Sequence, residues 1–328
     1  MSKTKIMLIS TGGTITMTPG STNGVVPTLS GKDLVAAVPA LEHYCNLDVV
    51  SYSTKPGGSL TFEELIDISQ IIQKGLDAGA DGAIIVQGTD TIEETAFVFD
   101  LLINSEKPVV VTGAMRSASA ISADGPANLL SAVLVASSKE VRQQGTLVVL
   151  NDEIHAARYV RKNDTANVAA FMSSGCGPLG RVAENHVLVY SSLKKRPPVL
   201  LPQKYEHAPV ALVKVGLGDD GRLLEAIPGL HYSGVIIEAM GAGHLPSLFG
   251  DIVGKLCNQL PVVLATRVPQ GPLFSQTYSF IGSEMDILER GAIYSGSLGS
   301  LRARILLSLL LSAGFSGEEL RSEFAKRA

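Results

Sequence analysis

The sequence predicts an α/β protein with two α/β domains and mainly parallel sheets, the larger domain N-terminal and the smaller C-terminal. Three observations carry that expectation. First, KIMLIS at 5–10, AIIV at 83–86 and TLVVL at 146–150 each hold an unbroken apolar stretch of four residues, as strands covered on both faces do. Second, longer stretches with helical spacing alternate with these runs, which is the βαβ signature of a parallel sheet. Third, the pattern stops in KKRPPVLLPQKYEHAP at 194–209, charged and proline-rich, and then restarts. The expected division is therefore a domain over 1–193, a linker over 194–209 and a second domain over 210–328, and 328 residues suffice for two separate cores.

In chain order, the strand 5–10 runs into Thr11-Gly12-Gly13-Thr14, where two glycines let backbone N–H groups approach a ligand. The same four residues are also a glycine turn whose threonines could bond their own backbone. Residues 16–28, rich in Gly, Pro, Ser and Thr, have no periodicity and are expected to form a lid loop. Helical spacing at 32–38, a strand at 47–52 and the turn Pro56-Gly57-Gly58-Ser59 lead to a helix at 62–76, whose start is a capping box of Thr61 and Glu64. The strand 83–86 ends in Gly88-Thr89-Asp90-Thr91, two hydroxyls and a carboxylate in four residues. Thr91 with Glu94 reads as a second capping box, opening a helix over 93–103. A strand at 108–112, a loop, and a helix at 127–137 with Asp124 as its cap follow. The strand 146–150 gives way to the polar loop NDEIHAARYVRKNDT, which holds His155 and Lys162. Past the linker, strands at 210–215, 234–239 and 261–265 alternate with helices around Leu223 and at 248–258, and helices at 301–311 and 318–326 close the chain.

Composition narrows the class. A formal charge of −4 with no basic block speaks against nucleic acid as a partner. The start MSKTK leads straight into a strand too short for a signal peptide or membrane span, so a cytoplasmic protein without a membrane partner is expected. Cys45, Cys176 and Cys257 have no CxxC spacing, which suggests buried thiols rather than a metal or disulfide framework. TGGT is not G-x-G-x-x-G, and no P-loop Lys-Ser/Thr pair is present, so no cofactor is expected.

Three strand-end segments thus supply Thr14, Thr89 with Asp90, and Lys162. A threonine hydroxyl needs a base to take its proton, and a lysine can act so if burial or nearby positive charge lowers its pKa. Asp90 would orient the lysine, and N–H groups of the glycine turns would stabilise an oxyanion, a set suited to acyl transfer. A Ser-His-Asp triad fits less well, because of six histidines only His155 and His244 lie in such loops and no G-x-S-x-G elbow occurs.

Five segments, STGGTI at 10–15, QGTDTIEETA at 87–96, KPVVVTGAMR at 107–116, SADGPANL at 122–129 and VLNDEIHAARYVRKND at 149–164, resemble the bacterial-type L-asparaginases in the same order. The resemblance implies an amidohydrolase that converts a small carboxamide, L-asparagine first among them, to acid and ammonia through a Thr14 acyl-enzyme. It further implies that Thr89, Asp90 and Lys162 form a supporting triad. A homotetramer is also implied, built as a dimer of dimers whose sites are completed by the neighbour's smaller domain. His244 and Glu284 are the candidate contributions of that neighbour, and Gly58 and Ser59, with Thr89 and Asp90, the candidate substrate contacts.

Departures from the family are equally legible. Residues 16–28 lack its lid tyrosine, with Val25 or Val26 about where it would fall. Its substrate-gripping Ser-Gln pair is replaced within Gly57-Gly58-Ser59, and its Gly-Asn-Gly-Asn loop becomes Gly241-Ala242-Gly243-His244. These losses keep two alternatives open: an amidase for a larger or modified amide, and a metabolite-binding protein of the same fold without catalysis.

Overall fold

The structure is a computed structural model that describes residues 3–20, 24–193 and 195–327. The chain forms two compact units, Met1–Pro198 and Val199–Ala328.

In the first unit the strands are β1 (Thr4–Ser10), β2 (Met17–Pro19), β3 (Val25–Pro27), β4 (Cys45–Ser51), β5 (Gly82–Val86), β6 (Val109–Thr112) and β7 (Thr146–Leu150). They continue with β8 (Glu153–Ala156), β9 (Val160–Lys162), β10 (Phe171–Ser173), β11 (Gly180–Ala183) and β12 (His186–Val189). Its helices are α1 (Gly31–Ala36), α2 (Phe62–Asp77), α3 (Ile92–Leu102) and α4 (Gly125–Ser137). Eight strands join in the order β12-β11-β8-β7-β6-β5-β1-β4. The run from β4 to β7 is parallel, and β8, β11 and β12 extend it antiparallel. Every residue of β5 is buried, which is why AIIV carries no polar alternation. Ile84, Val86, Leu8 and Leu147 share one core with Leu129, Ala132 and Val133 of α4, each large side chain contributing about 1.5–3 kcal/mol on burial. The chain steps from β1 to β4 on one side and later to β5 on the other, so the order reverses at β1. In open α/β sheets a ligand crevice lies at the carboxyl ends of strands flanking such a reversal.

The second unit holds β13 (Val210–Lys214), α5 (Arg222–Ala226), β14 (Gly234–Ala239), α6 (Phe249–Cys257) and β15 (Val262–Thr266). It ends with α7 (Glu284–Glu289), β16 (Ile293–Tyr294), α8 (Ser300–Ser312) and α9 (Gly317–Arg327). Its four strands are parallel in the order β13-β14-β15-β16. The architecture is thus the one expected, two α/β units with mainly parallel sheets.

Several local expectations are corrected. The Thr61–Glu64 capping box forms, but Thr91 makes no side-chain cap. A 3-10 turn over Thr89–Thr91 already leads into α3, and the Thr91 hydroxyl lies 3.4 Å from Gln87 Nε2 instead. Asp124 does not cap α4 either; its carboxylate accepts from the N–H groups of Met115 and Arg116, both at 2.9 Å, and closes that loop. A box of Ser30 and Asp33, unread in the sequence, caps α1. Residues 16–28 contain the hairpin of β2 and β3; Ser21, Thr22 and Asn23 of the expected lid lie outside the described residues, as does Lys194 of the expected linker. The polar stretch after β7 is two strands rather than a loop, since positive φ at Asn151 and Asp152 turns β8 back onto β7 and β9 then pairs with β10. Cys45 is buried, but Cys257 is half-buried and Cys176 exposed.

Candidate active site

The TGGT turn is fixed by backbone rather than by side chains. Beyond β1, the N–H of Thr11 donates to the carbonyl of Val86 at 2.9 Å, tying the ends of β1 and β5 together. Gly12 and Gly13 have φ of 110° and 86°, and a Cβ on Gly13 would stand 2.1 Å from the nitrogen of Gly88. Only glycine allows the two turns to touch. Thr11 and Thr16 spend their hydroxyls on backbone carbonyls, of Val86 at 3.3 Å and Gly13 at 2.7 Å. The half-buried Thr14, first residue of a 3-10 turn, keeps its hydroxyl without a hydrogen-bond partner among the described residues. The reading of TGGT as threonines bonding their own backbone thus fits neither of its threonines, since Thr11 bonds the carbonyl of Val86 on β5.

Lys162 reaches the neighbouring turn from the end of β9. Its Nζ donates to Thr89 Oγ1 at 2.9 Å and to Asp90 Oδ1 at 2.6 Å. Thr89 is buried and the lysine side chain only 16% exposed, whereas Asp90 is 80% exposed. An ammonium so placed can polarise one hydroxyl while an open carboxylate balances its charge. The sequence set of Thr89, Asp90 and Lys162 is thus brought together, and the contact of Gly13 with Gly88 brings the Thr14 turn against the same Gly88-Thr89 turn.

The glycines of Pro56-Gly57-Gly58-Ser59 differ in kind. A Cβ on Gly57 would meet the Gly88 carbonyl at 2.8 Å and Thr91 Oγ1 at 2.9 Å, while one on Gly58 would meet nothing within 4 Å. Gly57 is therefore a packing requirement, and Gly58 alone faces open space beside exposed Ser59. Arg116, in the loop after β6, donates to Ser122 Oγ at 2.8 Å. The sequence reading also missed Gln87, fully buried, whose Nε2 lies 3.3 Å from the Gly88 carbonyl; its place directly before GTDT was the available signal.

In the second unit, Glu284 starts α7 with its side chain fully buried, and Oε1 accepts from the N–H groups of Thr277 and Tyr278 at 3.1 and 2.8 Å. His244 Nε2 lies 3.3 Å from Glu284 Oε2, and the ring meets Tyr278 and Phe280 edge-on. Neither residue sits in a plain surface loop. His155, read as a loop residue, is buried on β8, where desolvation lowers its pKa to about 4. Among the described residues, no three His, Cys, Asp or Glu side chains stand together to hold a metal ion, and no helix is long and apolar enough to cross a membrane. A cavity of about 770 Å³ in the first unit opens among residues 104–106, 142–144, 192–193 and 195–198. It lies before β6 and β7, at the opposite edge from the strand-end turns.

Comparison with known proteins agrees with this geometry. The model described as "Asparaginase, N-terminal" matches residues 5–195, and "Glutaminase/Asparaginase C-terminal domain" matches 209–324. An L-asparaginase of Bacillus licheniformis is 34% identical over 94% of this chain and 96% of its own length. L-asparaginase 2 of Escherichia coli is 31% identical over 97% of this chain and 92% of its own. A crystal structure of a probable cytoplasmic L-asparaginase from Campylobacter jejuni superposes with a TM-score of 0.88 at 30% identity, covering 98% of this chain and 99% of that one. With both domain models matched in order and relatives aligned along nearly the whole length, the chain belongs to the asparaginase family.

Proposed function

We propose that this protein is an amidohydrolase that releases ammonia from a small carboxamide, with L-asparagine the leading substrate, through an acyl-enzyme on Thr14. The observation that carries the reading is Lys162 Nζ set between Thr89 Oγ1 and Asp90 Oδ1, on the turn against which the Thr14 turn packs. Thr14 Oγ attacks the amide carbon, its proton passes to the leaving nitrogen, and ammonia departs. The Thr89 hydroxyl relays a proton to or from Lys162, which Asp90 holds in place. Backbone N–H groups of the glycine turns face the developing oxyanion. Water then hydrolyses the ester to the free acid and restores the threonine.

Ser59, Thr89 and Asp90 hold the substrate's polar groups, with Gly58 leaving room. Glu284, with His244 against it, supplies a carboxylate to the substrate ammonium of a neighbouring chain, in a cytoplasmic homotetramer of paired dimers. Support for these finer points comes from the family pattern, and for the compartment from the name of the Campylobacter relative.

The open space at Gly58 favours a second reading, an amidase for a larger or N-substituted amide. Ammonia release from L-asparagine, D-asparagine, L-glutamine and a β-substituted amide, with Thr14→Ala as control, separates the readings. Preference for L-asparagine supports the first, and preference for a bulkier amide the second. No release from any amide returns the protein to a non-catalytic binding role.

A further inference from the structure

We propose that His155 and Ser173 are positioning residues for the Lys162 ammonium, tying the strand ribbon that carries the lysine to the large sheet. This rests on Lys162 taking part in proton transfer.

The tie is needed because of topology. β8 belongs to the eight-stranded sheet, whereas β9 and β10 form a separate two-stranded ribbon reached through Ala157, Arg158 and Tyr159. In that ribbon Phe171 faces Lys162 and Ser173 faces Val160. Ser173 is thus two residues, about 7 Å, from the residue opposite the lysine, and on the same face as it. From the sheet side His155 Nδ1 meets Ser173 Oγ at 3.0 Å, with the two residues 1% and 6% exposed.

The chemistry of the pair is defined by burial. Desolvation keeps the imidazole neutral at working pH, and because a carboxylate only accepts, the tautomer that suits Glu153 Oε2 beside Nε2 carries its proton on Nε2 and leaves Nδ1 to accept from the serine hydroxyl. Nε2 faces Glu153 Oε2 at 3.3 Å, from the same face of β8. A fixed ring gives Ser173 one acceptor in one direction, and the ribbon one position. Lys162 needs such a position, because its ammonium serves two acceptors at 2.9 and 2.6 Å, and a displacement of about 1 Å at a reacting group can cost about a hundredfold in rate.

The test measures kcat, KM and melting temperature for an accepted amide in five variants: Ser173→Ala, His155→Leu, His155→Asn, Lys162→Met, and Ser173→Ala combined with Lys162→Met. Ser173→Ala and His155→Leu are expected to lower kcat roughly ten- to a hundredfold with KM within about twofold. His155→Asn, which keeps an acceptor near Nδ1, should recover most of the rate. Once Lys162→Met is present, adding Ser173→Ala should change the residual rate by less than about twofold, because the loss acts through the lysine. A folded Ser173→Ala with near wild-type kcat overturns the proposal, as does a loss that multiplies with that of Lys162→Met. Should His155→Leu not fold, Ser173→Ala, which removes one oxygen, decides alone. Wild-type turnover by Lys162→Met would instead overturn the underlying role of the lysine, and this inference with it.

Discussion

A Cβ on Gly13 would stand 2.1 Å from the backbone nitrogen of Gly88, so the turns after β1 and β5 meet backbone to backbone. That contact packs the turn that carries Thr14 against the turn that Lys162 engages.

Gly13→Ala is therefore expected to lose activity and stability together. Overpacking adds to a backbone at φ 86° that L-residues disfavour, for a cost of about 2–4 kcal/mol. Urea unfolding and an ammonia assay on the same preparation measure both. Wild-type stability in this variant would show that the two turns are not in contact.

The strands and the catalytic candidates were legible because each rests on a local signal. β5 announced itself as an unbroken buried run, and Thr14, Thr89 and Asp90 as polar residues directly behind such runs. Lys162 had a weaker signal, an amine in a polar stretch behind a strand, since in RYVRKND it also reads as a surface lysine, and the family resemblance strengthened it. Its burial depends on β9 pairing with β10, and that pairing is non-local. The Thr91 and Asp124 caps failed for a related reason: a cap residue followed by the expected spacing has other donors to serve once the chain folds, Gln87 for Thr91 and the Met115 and Arg116 N–H groups for Asp124. Nor could sequence distinguish Gly57 from Gly58, because the difference is the approach of Gly88.

At the substrate turn, Gly58→Ala is expected to unfold within about 0.5 kcal/mol of wild type, as a change into open space does. Gly57→Ala should be clearly less stable, since its Cβ would press on the Gly88 carbonyl. If Gly58 sets the room for substrate, Gly58→Gln should raise KM for the bulkiest accepted amide more than for L-asparagine. Equal effects on both amides would remove Gly58 from specificity.

Lys162→Met and Lys162→Arg should each lower kcat by about a thousandfold or more with the fold retained. Arginine keeps the positive charge but cannot give up a proton, so it distinguishes proton transfer from simple charge stabilisation. Substantial activity in Lys162→Arg would assign the lysine an electrostatic role only.

The buried His155 makes a pH prediction. Its pKa falls from 6.5 unfolded to about 4 folded, so between those values the unfolded chain binds one proton more than the native one. Stability contributed by the neutral ring is complete above pH 6.5 and is lost as pH falls towards 4, by about 1.4 kcal/mol per pH unit. Urea unfolding at several pH values across that window should give His155→Asn a shallower slope than wild type. Parallel slopes would mean that the imidazole is protonated in the folded state.

Shared sites can be tested by subunit exchange. Thr14→Ala chains mixed with Glu284→Ala chains should regain part of the wild-type rate, because some sites then combine an intact Thr14 with an intact Glu284. No recovery after verified exchange would place the Glu284 carboxylate outside the substrate site.

The central claim is covalent chemistry at Thr14, and acid quench during turnover of L-asparagine, followed by peptide mass spectrometry, tests it most directly. The expected result is an aspartyl ester on the peptide containing Thr14, formed by wild type and absent from Thr14→Ala, which also releases no ammonia. Turnover by Thr14→Ala at the wild-type rate, or an acyl group found on Thr89 instead, would contradict it.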